Sequence, residues 1–148
     1  KLIVMRELPF SILFICSENA LRSPMAEALT KHRFGEEIFV DSVGVRDGDL
    51  DPMAIAVMSE IGVDMSRHKS KRLDDLMDTS FEVIVTLSPE AQHKALELTK
   101  VTASEVKYWP TPDPSVAEGH RDARLDAYRY LRDYLIKQIK ISIGGEVV

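Results

Sequence analysis

Two hydrophobic rhythms alternate along this chain. Ser11-Ile-Leu-Phe-Ile-Cys16 is an almost unbroken apolar run, rich in β-branched and aromatic residues, which predicts a strand covered on both faces as in a parallel sheet. Glu37-Ile-Phe-Val-Asp-Ser42, Phe81-Glu-Val-Ile-Val-Thr-Leu87 and the weaker Val106-Lys-Tyr-Trp109 predict three more. The intervening segments carry the helical period instead. Met25, Ala28, Leu29 and His32 share one face of a helix opened by Ser23-Pro24, with Ser23 read as N-cap and Pro24 at the first helical position. Glu27 falls one place late for a capping box, though its charge suits a first turn. Met53 to Ile61, stopped by Gly62, and Pro89 to Leu98 are further helices. The most periodic stretch repeats Leu125, Tyr128, Leu131, Leu135 and Ile139, with Arg124, Arg129, Asp133 and Lys137 on the opposite side.

Strand and helix alternating in this way imply right-handed crossovers and an α/β fold: a three-layer sandwich, its central parallel sheet of about four strands covered by helices on both faces. Ligands of such folds bind beyond the carboxyl ends of the strands. A length of 148 residues, with no repeat, low-complexity tract or linker, is read as one domain, 1–148. The Pro-rich Trp109-Pro-Thr-Pro-Asp-Pro114 is the conspicuous irregular segment, and Tyr108 and Trp109 beside it are read as core.

Charge and cysteine content narrow the chemistry. The formal net charge of −5 argues against broad nucleic-acid binding, so any anion site must be built locally against the overall sign. No apolar run approaches the roughly 20 residues that span a bilayer, so no membrane partner is expected. Leu2 to Met5 is apolar but leads to no small-residue cleavage site, and Met5 is a candidate natural start. With Cys16 as the single cysteine, an internal disulfide, a CxxC pair and a multi-thiolate zinc site are all excluded. A lone free thiol fits a reducing, cytoplasmic setting.

The position of that cysteine is the informative point. Cys16 ends a buried strand and a helix begins at Ser23-Pro24, so Ser17-Glu-Asn-Ala-Leu-Arg22 is a tight loop at the carboxyl edge of the sheet. Its backbone N–H groups and the helix N-terminus form an anion cradle. A cysteine in that field is biased towards thiolate, and the Arg22 fork suits two oxygens of a tetrahedral oxyanion. Thiolate and cradle together suggest phosphoryl transfer to sulfur. The spacing Cys-x5-Arg alone is also met by a buried strand-end cysteine followed by a solvated arginine.

The longer stretch Ile12-Leu-Phe-Ile-Cys-Ser-Glu-Asn-Ala-Leu-Arg-Ser-Pro-Met-Ala-Glu27 closely resembles the phosphate loop of the low-molecular-weight protein tyrosine phosphatase family, a loop shared with thioredoxin-coupled arsenate reductases. Asp41-Ser-Val-Gly44, Gly62-Val-Asp-Met-Ser-Arg-His68 and Asp113-Pro114 are similar to further segments of that family. The resemblance implies that Cys16 is the nucleophile and that Ser17, Glu18, Asn19, Ala20, Leu21, Arg22 and Ser23 bind phosphate. It also implies that Asn19 is held in a left-handed conformation by Ser23, Ser42 and His68, and that Asp113 is the general acid. By itself, His68 reads equally as part of the solvated basic run Arg67-His-Lys-Ser-Lys-Arg72, and Asp113 as an ordinary turn or a cap for a helical segment near Val116. No metal and no cofactor are implied. The implied partners are a phosphorylated protein or small phosphoester, with inorganic phosphate or a similar oxyanion as product or inhibitor.

Three departures from the family pattern bear on activity. Glu18 stands where glycine is usual, Leu21 where many members carry a second cysteine, and neither Val45–Asp51 nor Ser115-Val116 supplies the aromatic walls associated with phosphotyrosine. Two other readings therefore stand beside the phosphatase: an arsenate reductase completed by an external thiol, and a degenerate module that binds a phosphoprotein or oxyanion without turnover.

Overall fold

The computed structural model describes residues 7–146, so the Leu2–Met5 patch and the candidate start at Met5 lie outside the described residues. Four strands, β1 (Ser11–Cys16), β2 (Phe39–Gly44), β3 (Val83–Thr86) and β4 (Glu105–Tyr108), form one sheet in the order β2-β1-β3-β4. Every pairing is parallel, with Cys16 opposite Gly44 and Ile15 opposite Thr86. Four helices, α1 (Arg22–Phe34), α2 (Pro52–Ser59), α3 (Pro89–Leu98) and α4 (Arg121–Gln138), connect and cover the strands. This is the three-layer α/β architecture that the alternating rhythm implied. Among the described residues no helix is long and apolar enough to cross a membrane.

The unbroken apolar character of β1 follows from its central place. Ile12, Phe14 and Cys16 face the larger core built with Met25, Ala26 and Leu29 of α1, Val57 and Met58 of α2, and Leu131 and Leu135 of α4. Leu13 and Ile15 face the opposite core with Ile84, Ala91 and Ala95. Each such buried aliphatic or aromatic side chain contributes roughly 1.5–3 kcal/mol relative to exposure. The chain leaves β1 towards β2 on one side and later returns to β3 on the other. The switch in direction therefore falls at the carboxyl end of β1, where open α/β sheets bind ligands.

Several expectations need correcting locally. Ser23 is not an N-cap: α1 starts two residues earlier, at Arg22, with Leu21 at the cap position and no side-chain cap bond, and the Ser23 hydroxyl is engaged inside the loop instead. Glu27 accordingly sits beyond the first turn. The helix over Met53–Ile61 runs instead from Pro52 to Ser59, capped by the Asp51 carboxylate on the Met53 N–H, and Gly62 follows with φ +77°. Trp109 is core as expected, but Tyr108, at the end of the edge strand β4, is 40% exposed. The final helix continues past Gln138 into a wider turn, Ile139–Ile143, that keeps Ile139 and Ile143 buried.

Candidate active site

Three connections converge on the end of β1. The loop after β2 is stitched to the loop after β1 by backbone bonds from Val45 to Cys16 (3.0 Å), Arg46 to Ser17 (2.8 Å) and Asp51 to Ala20 (2.9 Å). On the other side, Leu87 N–H donates to Ile15 (2.9 Å) and Trp109 N–H to Thr86 (2.8 Å), which carries the Pro-rich segment to the same edge. Thr111 ties that segment down further, its hydroxyl donating to the Leu87 carbonyl at 2.9 Å. Between these walls lies a cleft of about 280 Å³ lined by Cys16, Ser17, Glu18, Ala20, Leu21, Arg22, Arg46, Asp113 and Ser115. Residues far apart in sequence, Cys16 and Asp113, thus share one concavity.

The Cys16 sulfur is 2% exposed and is approached by two donors that a thiolate accepts: the Asn19 N–H at 3.2 Å and the Ser23 hydroxyl at 2.9 Å. The Ser23 hydroxyl also reaches the Val43 carbonyl at 3.3 Å, an alternative acceptor when sulfur carries its own proton. Among the described residues, the N–H groups of Ser17, Glu18, Ala20 and Leu21 donate to no protein acceptor. Such a run at a helix start is satisfied by an oxyanion. The Arg22 guanidinium lines the same cleft and donates to the Thr111 carbonyl at 3.1 Å, linking the cradle to the segment that carries Asp113.

Asn19 has φ +53°, a conformation that asparagine tolerates better than most side chains. Its fully buried amide donates to Ser23 (2.8 Å) and Ser42 (3.0 Å), while Oδ1 accepts from the Lys71 N–H (2.9 Å) and contacts His68 Nε2 (2.8 Å). With both amide protons on hydroxyls, Oδ1 is the acceptor, so the His68 proton resides on Nε2. Sequence reading placed Ser23, Ser42 and His68 beside Asn19 only through the family resemblance. The structure brings all four into contact, and His68 does not lie on a solvated face, since its side chain is 9% exposed.

Behind this group sits Glu27, whose role the sequence did not reveal. Its carboxylate accepts from the Ser42 hydroxyl (2.5 Å) and Lys31 (2.5 Å) and lies 3.6 Å from His68 Nδ1. Burial pushes the His68 imidazole below its ordinary value, and the Glu27 charge works in the opposite direction. Glu27 also borders a larger groove of about 750 Å³ between α1 and residues 62–71. That groove contains no nucleophile, so its size does not make it the centre of the chemistry.

Asp113 Oδ1 accepts from Ser115 twice, from its N–H at 2.9 Å and its hydroxyl at 2.6 Å, and thereby caps the short turn Pro114–Val116. Capping and cleft-facing are both true of this residue. Glu18 is exposed, and its carbonyl accepts from Ser70. Arg46, which sequence reading did not single out, forms part of the cleft wall and pairs with Glu90 at 2.5 Å. That pair holds the Glu90 carboxyl below its ordinary range and the Arg46 guanidinium above its own. The signal available beforehand was only its place after Gly44. Among the described residues, no three His, Cys, Asp or Glu side chains gather to hold a metal ion.

A buried cysteine beside an arginine-bearing loop, at the end of an inner strand of a four-stranded parallel sheet, defines a class. The model of the low molecular weight phosphotyrosine protein phosphatase family matches residues 11–134, and the chain belongs to that family of cysteine-dependent enzymes. Among particular relatives, it is 34% identical over 131 residues to an arsenate reductase of Halalkalibacterium halodurans, covering 87% of this chain and 91% of that one. Its fold is similar to that of the tyrosine phosphatase amsI of Erwinia amylovora (TM-score 0.76, 20% identity, 100% of both chains). It is also similar to an arsenate reductase in the phosphate binding state (TM-score 0.71, 24% identity, 91% of this chain and 97% of that one). The family is thus shared by phosphatases and reductases.

Proposed function

We propose that the protein is a phosphomonoester hydrolase that works through a cysteinyl-phosphate intermediate. The observation that carries the reading is the Cys16 sulfur, receiving the Asn19 and Ser23 donors at 3.2 and 2.9 Å, in one cleft with Arg22 and Asp113. Sulfur attacks phosphorus in line; the S–P bond forms as the bond to the leaving oxygen breaks, and Asp113 transfers its proton to that oxygen. Arg22 and the unpaired loop N–H groups hold the three equatorial oxygens as charge redistributes on them. In the second half, ionised Asp113 takes a proton from water, the water oxygen bonds to phosphorus, and the S–P bond breaks. Ser23 then donates to the departing thiolate, and inorganic phosphate is released.

The substrate in this reading is a phosphorylated protein or a small phosphoester, in the cytoplasm. The cleft lining contains no aromatic side chain, so it supplies no stacking surface for phosphotyrosine. A second reading, arsenate reduction, is favoured by the 34% identity to an enzyme of that name. Cys16 is the single cysteine, so that cycle needs an external thiol to reduce the arsenylated or oxidised sulfur. Turnover of p-nitrophenyl phosphate by wild type and Cys16→Ser, beside arsenate turnover with glutathione and glutaredoxin or with thioredoxin, separates the two. Phosphate release by wild type alone is expected. Equal, negligible release by both proteins would refute the hydrolase.

A further inference from the structure

The segment bearing Asp113 is anchored on both flanks, which leaves the carboxyl side chain as its main remaining freedom. Upstream, Thr111 is held by its N–H and hydroxyl on the Leu87 carbonyl (3.3 and 2.9 Å) and by Arg22 on its own carbonyl (3.1 Å). Pro112 and Pro114 fix the backbone on either side of the acid, and Pro114 is buried. What orients the carboxyl group within that frame is Ser115, which places both its donors on the same oxygen, Oδ1.

From this geometry we infer that Ser115 is a positioning residue for the proposed general acid: by engaging Oδ1 it reserves Oδ2 of Asp113 for the transferred proton. The inference rests on the proposed hydrolase reading. A neutral carboxyl keeps its proton on Oδ2 while Oδ1 remains a carbonyl acceptor, and the ionised group accepts the same two bonds. One orientation therefore serves both halves of the cycle, protonating the leaving oxygen and then deprotonating water. The same aspartate–serine turn recurs at Asp64–Ser66, with distances of 2.9 and 2.6 Å. The motif is thus an ordinary turn in itself. It gains a catalytic consequence at Asp113 because Asp113 and Ser115 both line the nucleophile cleft, where Asp64 does not.

Protonation matters most for a poor leaving group, so the readout is the ratio of kcat/KM for p-nitrophenyl phosphate to that for phenyl phosphate. Misplacing a reacting group by 1 Å costs about a hundredfold. Ser115→Ala retains the backbone donor, so the ratio is expected to widen by a smaller factor, about fivefold. Ser115→Thr, which keeps a hydroxyl, is expected to restore the wild-type ratio. In an Asp113→Ala background, Ser115→Ala is expected to widen it no further. A ratio moved by Asp113→Ala but not by Ser115→Ala overturns the inference, as does a Ser115→Ala effect that persists without Asp113. A ratio unmoved by Asp113→Ala removes the general acid and this inference with it. Absence of wild-type turnover removes the hydrolase reading as a whole.

Discussion

Replacing Asn19 by alanine tests the central physical claim, that one buried amide holds the nucleophile loop in an unfavourable backbone conformation. The native side chain makes four hydrogen bonds at 2.8 to 3.0 Å and is fully buried. Two of the partners it would abandon, the Lys71 N–H and the His68 Nε2–H, are donors, and each buried unsatisfied donor costs about 1–3 kcal/mol. The φ of +53° adds about 1 kcal/mol for a β-carbon lacking the local bonds that asparagine makes. Taking the lower part of the donor range, because water enters a loop more readily than a core, the expected loss is about 3–4 kcal/mol. Urea unfolding with an unchanged m-value is the assay. Asn19→Gly loses the same bonds but relieves the backbone, so it should be about 1 kcal/mol more stable than the alanine variant. A loss below about 1 kcal/mol for alanine, with glycine no better, would refute both the network and the strain argument.

Two further expectations follow from the same region. A β-carbon on Gly44 would meet the Arg46 carbonyl oxygen at 2.1 Å and the Asn19 nitrogen and Glu18 carbonyl carbon at 2.6 Å, all of them backbone. Gly44→Ala should therefore cost about 3 kcal/mol in unfolding and weaken phosphate binding, measured by calorimetry; a variant as stable as wild type would contradict the close approach. His68 titrates below its ordinary value in the fold, chiefly through burial. Its stabilising contribution is therefore complete above the unfolded value of about 6.5 and is lost as pH falls below it. The urea midpoint of wild type should fall between about pH 6.5 and 5 more steeply than that of His68→Gln; parallel slopes would count against a buried neutral imidazole.

The sheet and its helices were legible because their signals are local. A run such as Ile12 to Ile15 can satisfy two apolar faces only in an inner strand, and the spacing from Leu125 to Ile139 admits only a helix. The loop was legible as a cradle because Cys16, Arg22 and Pro24 bracket it within nine residues of one strand–helix junction. Less visible were roles fixed by tertiary contact. Ser23 has the composition of a cap, but the sulfur and the Asn19 amide claim its hydroxyl. Glu27 reads only as a charge suited to a first helical turn, and its role shows once β2 brings the Ser42 hydroxyl against it. Tyr108 and Trp109 are neighbours of like chemistry, and only the edge position of β4 decides which of them is covered. Arg46 carries no local signal beyond its place after Gly44, since its position in the cleft wall depends on the backbone stitching of two loops.

The strand order gives the two reactive groups unequal security. The nucleophile ends a strand paired on both sides, whereas the candidate acid follows one paired on a single side. The residues of β4 itself stay outside the larger core, whereas Trp109 directly beyond it is buried there and Thr111 is tied to Leu87 and Arg22. The exposed edge strand can thus change without disturbing the thiol loop. The leaving-group side of the cleft is therefore the part most open to remodelling by insertion or substitution, and the oxyanion cradle the part least able to absorb it.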